Sequence, residues 1–173
     1  MWLVVEEGQG LSEASSYISE NDAIKYLPST VMEEWNTMQL DERIDKLIIA
    51  SQFIDRSFKW VGTQKTFEQG LSWPRIGAMY QGHAVPDNMI PQQVKRACIM
   101  ALLLVHEYGV ELFRSTGELA VKSEKIGPIA MSYFEPGKSM LYYESTYEDI
   151  NNTLRGLYLR SSGNVISVPV VRR

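Results

Sequence analysis

"LDERIDKLIIASQFIDRSFKW", Leu40 to Trp60, decides the fold. Ile44, Leu47, Ile48, Ser51, Ile54 and Phe58 recur at helical spacing and share one face. Glu42, Arg43, Asp45, Lys46 and Arg56 fall mainly elsewhere. The spacing predicts an amphipathic helix that fades near Gly62. Such a stripe needs a partner, and "IPQQVKRACIMALLLVHEYGVELF", Ile90 to Phe113, supplies one. Pro91 suits a first helical position. Val94, Ala97, Cys98, Ala101, Leu102, Val105 and Tyr108 continue a helical face, and the middle is apolar nearly all round. This segment therefore reads as the central buried helix, weakened at its end by Gly109.

Two shorter helices flank the pair. "SYISENDAIKYL" places Ser19 as an N-cap with acids in the first turn, so a helix runs from about Glu20 to Leu27 and stops before Pro28. "YEDINNTLRGLYLR", Tyr147 to Arg160, puts Ile150, Leu154, Leu157 and Tyr158 on one side of a last short helix. "VMEEWNTMQ" around Trp35 reads as a loop or ragged turn. "LAVKSEKIGPIAMSYF" alternates and predicts a β-hairpin at about 119–134. Residues 161–173, "SSGNVISVPVVRR", are β-branched and broken by Pro169, so they read as an extended arm. The expected class is mainly α: a small helical bundle over residues 1–160, including the hairpin, with an extended C-terminal arm at 161–173.

Between the two long helices lies an irregular stretch from Val61 to Met89. Within it, "FEQGLSWPRIG", Phe67 to Gly77, holds Trp73, Pro74 and Arg75 in a row. Pro74 restricts Trp73 to extended geometry, so the segment cannot be a helix interior. A loop this long in a compact domain is usually functional or interface-forming. Gly70 and Gly77 permit tight reversals. Trp73 can anchor the segment on the helices, and Arg75 is then held where it can pair with a carboxylate of its own chain or of a neighbour.

The chain has 173 residues, 45% hydrophobic and 22% charged, which suits one domain with a real core. Its net charge of −4 argues against a basic nucleic-acid binder. Cys98 alone rules out a disulfide within this chain and any multi-cysteine metal site, and fits synthesis in a reducing cytoplasm. The start, "MWLVVEEGQG", has no basic leader. The longest apolar run, Cys98–Val105, is far below the roughly 20 residues needed to span a bilayer, so no membrane role is expected.

Catalytic signals are poor, and neither an enzyme nor a cofactor nor a metal site is expected. "HEYGV" has Val110 where a zinc helix has its second histidine, and His83 stands alone. There is no phosphate loop and no nucleophile elbow. Glu33-Glu34 and Glu148-Asp149 are adjacent, hence point in different directions on a helix. Trp60, Phe67, Trp73, Arg75 and Tyr80 offer a loose version of a single-strand stacking platform. The competing reading is that Trp60 and Trp73 pack the long loop onto the helices.

Taken in order, these blocks resemble a known family. They are "GLSEASSYISENDAIKYL", then "LIIASQFIDRSFKWVGTQKTFEQGLSWPRIG" with Trp73-Pro74-Arg75 as its most specific part. "IPQQVKRACIMAL", "SEKIGPIAMSYF" and the closing "GNVISVPVVRR" follow. The family is that of tailed-bacteriophage head-to-tail connector (adaptor, or neck) proteins, some of which carry a DnaT-like single-stranded-DNA-binding label. The chain departs from it at Gln69-Gly70 and at Ser15. The resemblance implies a structural virion protein of the neck, made in the host cytoplasm. It would form a homo-oligomeric, twelvefold ring beneath the portal protein and above a downstream neck or tail protein. Double-stranded DNA would pass through without sequence-specific binding. The alternative is a replication accessory protein that binds single strands. Interface candidates are Trp73, Pro74 and Arg75, with Val165, Ile166, Val168, Val170, Arg172 and Arg173 of the arm, which could reach roughly 45 Å if extended and add a strand to a neighbour.

Overall fold

The computed structural model describes residues 2–108 and 138–159. The hairpin expected at about 119–134 and the arm at 161–173 lie outside these residues. What is described is mainly α, as the sequence periodicity requires. Helices α1 (Glu20–Tyr26), α2 (Ser29–Thr37) and α3 (Leu40–Ser57) follow one another closely. Two small antiparallel ladders come next, β1 (Thr63–Gln64) with β2 (Arg75–Ile76) and β3 (Met79–Tyr80) with β4 (His83–Ala84). Helices α4 (Gln92–Tyr108) and α5 (Lys138–Leu154) complete the elements among the described residues.

The core is where α3 and α5 both pack against α4. From α3 come Leu47, Ala50, Phe53 and Ile54; from α4 come Val94, Ala97, Cys98, Ala101, Leu102 and Val105; from α5 come Ile150 and Leu154. All are buried. Small residues on α4, Ala97, Cys98 and Ala101, let its backbone approach its neighbours, while its leucines fill the gaps between them. Burial also pushes the Cys98 thiol well above its ordinary value, so it is a packing residue and not a nucleophile.

Helix starts follow their local chemistry. Ser19 caps α1: its hydroxyl accepts from the Asp22 N–H while the Asp22 carboxylate accepts from the Ser19 N–H, a reciprocal capping box. Pro91 flanks α4 just before its first residue, and its carbonyl accepts from Val94 and Lys95.

Three segments differ from the sequence reading. The stretch around Trp35 is helix α2, not a ragged turn. The Pro28 carbonyl accepts from Val31 and Met32 to start it, and burial of Trp35 holds a segment whose own propensity is weak. The final helix begins at Lys138 and ends at Leu154, where the chain turns at Gly156. Leu157–Leu159 then run back beside Lys59–Val61, with Trp60 opposite Tyr158. The 61–89 region is not wholly irregular: Gln81 and Gly82, both at positive φ, make the tight two-residue turn between β3 and β4.

Because Trp35 is 1% exposed, Trp35→Ala should cost about 3 kcal/mol or more of stability. Urea unfolding of the variant checks this; a cost below about 1 kcal/mol would mean that α2 is not anchored through this ring.

Candidate functional site

The Trp-Pro-Arg segment is held by a buried polar cluster. Asp55 lies near the C-terminal end of α3, on the side that faces the segment. One of its carboxylate oxygens accepts from the Tyr17 hydroxyl, and the other accepts from the Ser72 N–H at 2.8 Å. The Tyr17 oxygen in turn accepts from the Trp73 N–H at 3.0 Å. Tyr17 is itself fixed: its N–H donates to the Ser51 hydroxyl, which also meets the Ser16 hydroxyl at 3.1 Å. The chain thus ties residues 16–17, 51–55 and 72–73 together through buried and half-buried groups, where a lost bond is costly.

The charges in this cluster respond as burial dictates. Burial pushes the Asp55 carboxyl up from its ordinary value; the hydrogen bonds from Tyr17 and Ser72 and the Arg75 charge offset only part of that. Burial, and next the Asp55 carboxylate, push the Tyr17 phenol well above its ordinary range. Burial lowers the Arg75 guanidinium, although Tyr17 and Asp55 pull the other way.

The interface candidates read from the sequence fall in two groups. Trp73 is 0% exposed and packs edge-to-face on Trp60 with ring centroids 5.7 Å apart; Pro74 is buried beside it. Both pack their own loop on the bundle. Arg75 reaches inward as well. Its guanidinium donates to the carbonyls of Val61 at 2.6 Å, Ser72 at 2.9 Å and Gly62 at 2.7 Å. The hydrogen-bond partners of Arg75 are thus backbone carbonyls of its own chain, and not the carboxylate expected from the sequence. Val165, Ile166, Val168, Val170, Arg172 and Arg173 lie outside the described residues.

What the sequence reading missed is the scaffold of this loop. Gln69 is buried: its side-chain oxygen accepts from the Thr66 N–H, and its amide nitrogen donates to the carbonyls of Leu71 and Pro74. Glu6, fully buried, gathers the N–H groups of Gly8, Gly10 and Leu11 into a second turn. The two turns meet. The Gly70 N–H donates to the Leu11 carbonyl, and Lys65 donates to the Gly8 carbonyl. A Cβ on Gly70 would stand 2.5 Å from the Ala14 carbonyl oxygen, so only glycine fits there. One signal was present in the sequence: Ser51 and Asp55, four apart, are polar positions within an apolar helix face.

The tip of the loop is different. Phe67 is 99% exposed, above a shallow cleft lined by Gly10, Ser12, Thr66, Phe67 and Glu68. Leu11, between the lining residues Gly10 and Ser12 in the chain, is 39% exposed, and Glu13 and Glu68 are exposed. Among the described residues no group of three His, Cys, Asp or Glu is placed to hold a metal ion, and no helix is long and apolar enough to cross a membrane. His106 faces Glu34 at 3.2 Å and ties α4 to α2.

Two outcomes follow. Tyr17→Phe leaves the Trp73 N–H and an Asp55 oxygen without their buried partner, and should cost about 1–3 kcal/mol in denaturant unfolding. Asp55 should give stability an acid-favouring slope. Its folded-state pKa is raised, so its contribution is fully present below the unfolded value and is lost as pH rises through the folded value. The stability of the native protein relative to Asp55→Asn should therefore be greatest in acid and shrink toward neutral pH. Unfolding curves of both proteins across that range test it, and a difference that grows with pH would contradict the assignment.

Comparison with known proteins gives one result on family and none on close relatives. No curated protein and no solved structure matches the chain. The family described as "Putative DnaT-like ssDNA binding protein" matches over residues 1–173, the whole of the sequence. The chain with the Asp55-anchored Trp-Pro-Arg loop belongs to that family.

Proposed function

We propose that this chain is a structural virion protein: a head-to-tail connector subunit that forms a ring beneath the portal, joins capsid to tail and lines the DNA exit channel. The resemblance of its ordered blocks to tailed-phage connector proteins supports this reading. One structural observation carries it over the single-strand alternative. A strand-binding platform would stack bases on exposed aromatics beside cations. Of the five residues that could form one, Trp60 and Trp73 are buried and Arg75 is engaged with its own carbonyls. Tyr80 is half-buried, and Phe67, in water, stands next to Glu68. With a net charge of −4, the chain offers little phosphate neutralisation, on which strand affinity rests. A conduit for duplex DNA needs weak contact, and acidic subunits serve it. On this reading the chain performs no catalysis and works at the neck of the virion.

The second reading, a replication accessory protein that binds single strands, is favoured by the family's description. The two separate cleanly in one experiment. Purified protein is imaged by negative-stain microscopy alone and with its portal, and titrated against a labelled single-stranded oligonucleotide by fluorescence anisotropy. Rings or portal-docked assemblies with no anisotropy change at micromolar protein are expected. Monomers that bind the oligonucleotide, with binding weakened by added salt, would overturn the connector reading.

A further inference from the structure

We propose that the Phe67–Leu11 cleft is the receptor for residues 161–173 of a second copy of this chain. The proposal rests on the connector reading and names the contact that would join neighbouring subunits.

Phe67 is the most exposed large apolar side chain described, at 99%. It does not sit on a loose loop. The turn that carries it is closed by Gln69 on one side and stitched to the 8–11 turn through the Gly70–Leu11 and Lys65–Gly8 hydrogen bonds. The Thr66 hydroxyl adds a bond to the Gly10 carbonyl. A ring held out in water by a preorganised turn loses little conformational freedom on docking, so its burial is available to binding. Aromatic side chains presented in this way are the usual anchors of interfaces.

The surroundings define the occupant. Glu68 lines the cleft with Phe67, and the exposed Leu11 and Glu13 adjoin its lining residues Gly10 and Ser12 in the chain. Packing this patch on its own copy would set these carboxylates against each other, which opposes a symmetric contact. The occupant must instead be apolar and cationic. Residues 161–173 meet that description: Val165, Ile166, Val168, Val170 and Val171 lead into Arg172 and Arg173, with no Asp or Glu between Ser161 and Arg173. The other apolar stretch with paired cations, around Lys122 and Lys125, is interrupted by Glu124.

The direction of the chain points to a second copy. Tyr158 pairs antiparallel with Trp60, and the Leu159 N–H donates to the Lys59 carbonyl. At Leu159 the chain is therefore heading back toward Phe58, opposite to the path from Val61 to Phe67. From that point, residues 160–173 can reach roughly 45 Å, enough to cross to a neighbouring subunit.

The test uses the full chain. Phe67 is replaced by the photo-reactive p-benzoylphenylalanine, and isotope-labelled and unlabelled copies are mixed, irradiated and digested. Cross-links from position 67 to peptides of 161–173 carrying the other label are expected. Cross-links confined to the same copy, or to other segments, overturn the proposal. Independently, Phe67→Ser should weaken self-association about tenfold or more, with the melting temperature unchanged because the ring lies in water. Arg172→Glu with Arg173→Glu should weaken it too, and adding Glu13→Arg with Glu68→Arg in the same chain should restore it. Rings that persist unchanged through these variants overturn this contact and leave the connector reading standing. A native chain that stays monomeric and binds single-stranded oligonucleotide overturns both.

Discussion

A carboxylate near the end of a core helix is the constraint on which the loop architecture depends. Asp55 sits at the margin of an apolar face, one turn beyond Ser51, where water is largely excluded. A buried carboxylate must find donors or become neutral. Here the donors are the Tyr17 hydroxyl and the Ser72 N–H. Satisfying it draws the N-terminal segment and the loop after α3 to one point, and Tyr17 completes the closure by accepting from the Trp73 N–H. Once that backbone is placed, Trp73 has only the space beside Trp60 to occupy, and the Arg75 guanidinium reaches the carbonyls of Val61 and Gly62.

The same constraint sorts the side chains into those spent on the fold and those left to meet something else. Trp60, Trp73, Pro74 and Arg75 look, in sequence, like the residues a protein would show to a partner. All are turned to the service of their own loop. The loop's tip is different: there Phe67 projects into water beside Glu68. An exposed aromatic in an acidic setting is a poor seat for a phosphate backbone and a good one for an apolar, cationic protein segment.

Much of the bundle was legible from periodicity. The faces of α3 and α4, and the Ser19 cap of α1, rest on residues within a few positions of one another, so local pattern is enough. Helix α2 was not legible: its composition favours no helix, and only burial of Trp35 under the rest of the domain holds it. The start of α5 was missed because the apolar face that marks it, Ile150 and Leu154, belongs to its C-terminal half. For the loop, the anchoring role of Trp73 followed from its size and from Pro74, but the partners of Arg75 did not. A free guanidinium is equally suited to a carboxylate in either chain, and the carbonyls it takes exist as a cluster only after Val61, Gly62 and Ser72 are brought together.

The sequence by itself determined the helical class, the α3–α4 pairing and the place of the irregular segment, because each is written in spacing, capping and proline chemistry along the chain. Tertiary structure decided the interior of that segment. Tyr17 and Asp55 are 38 residues apart, and Asp55 and Ser72 are 17 apart. A hydrogen bond across such separations leaves no periodic trace, since any polar residue at either position could have faced water instead. Tertiary structure also decided that Phe67 alone of the loop's large aromatics stands fully outside: burial is a property of what surrounds a side chain, and its neighbours in sequence do not reveal it.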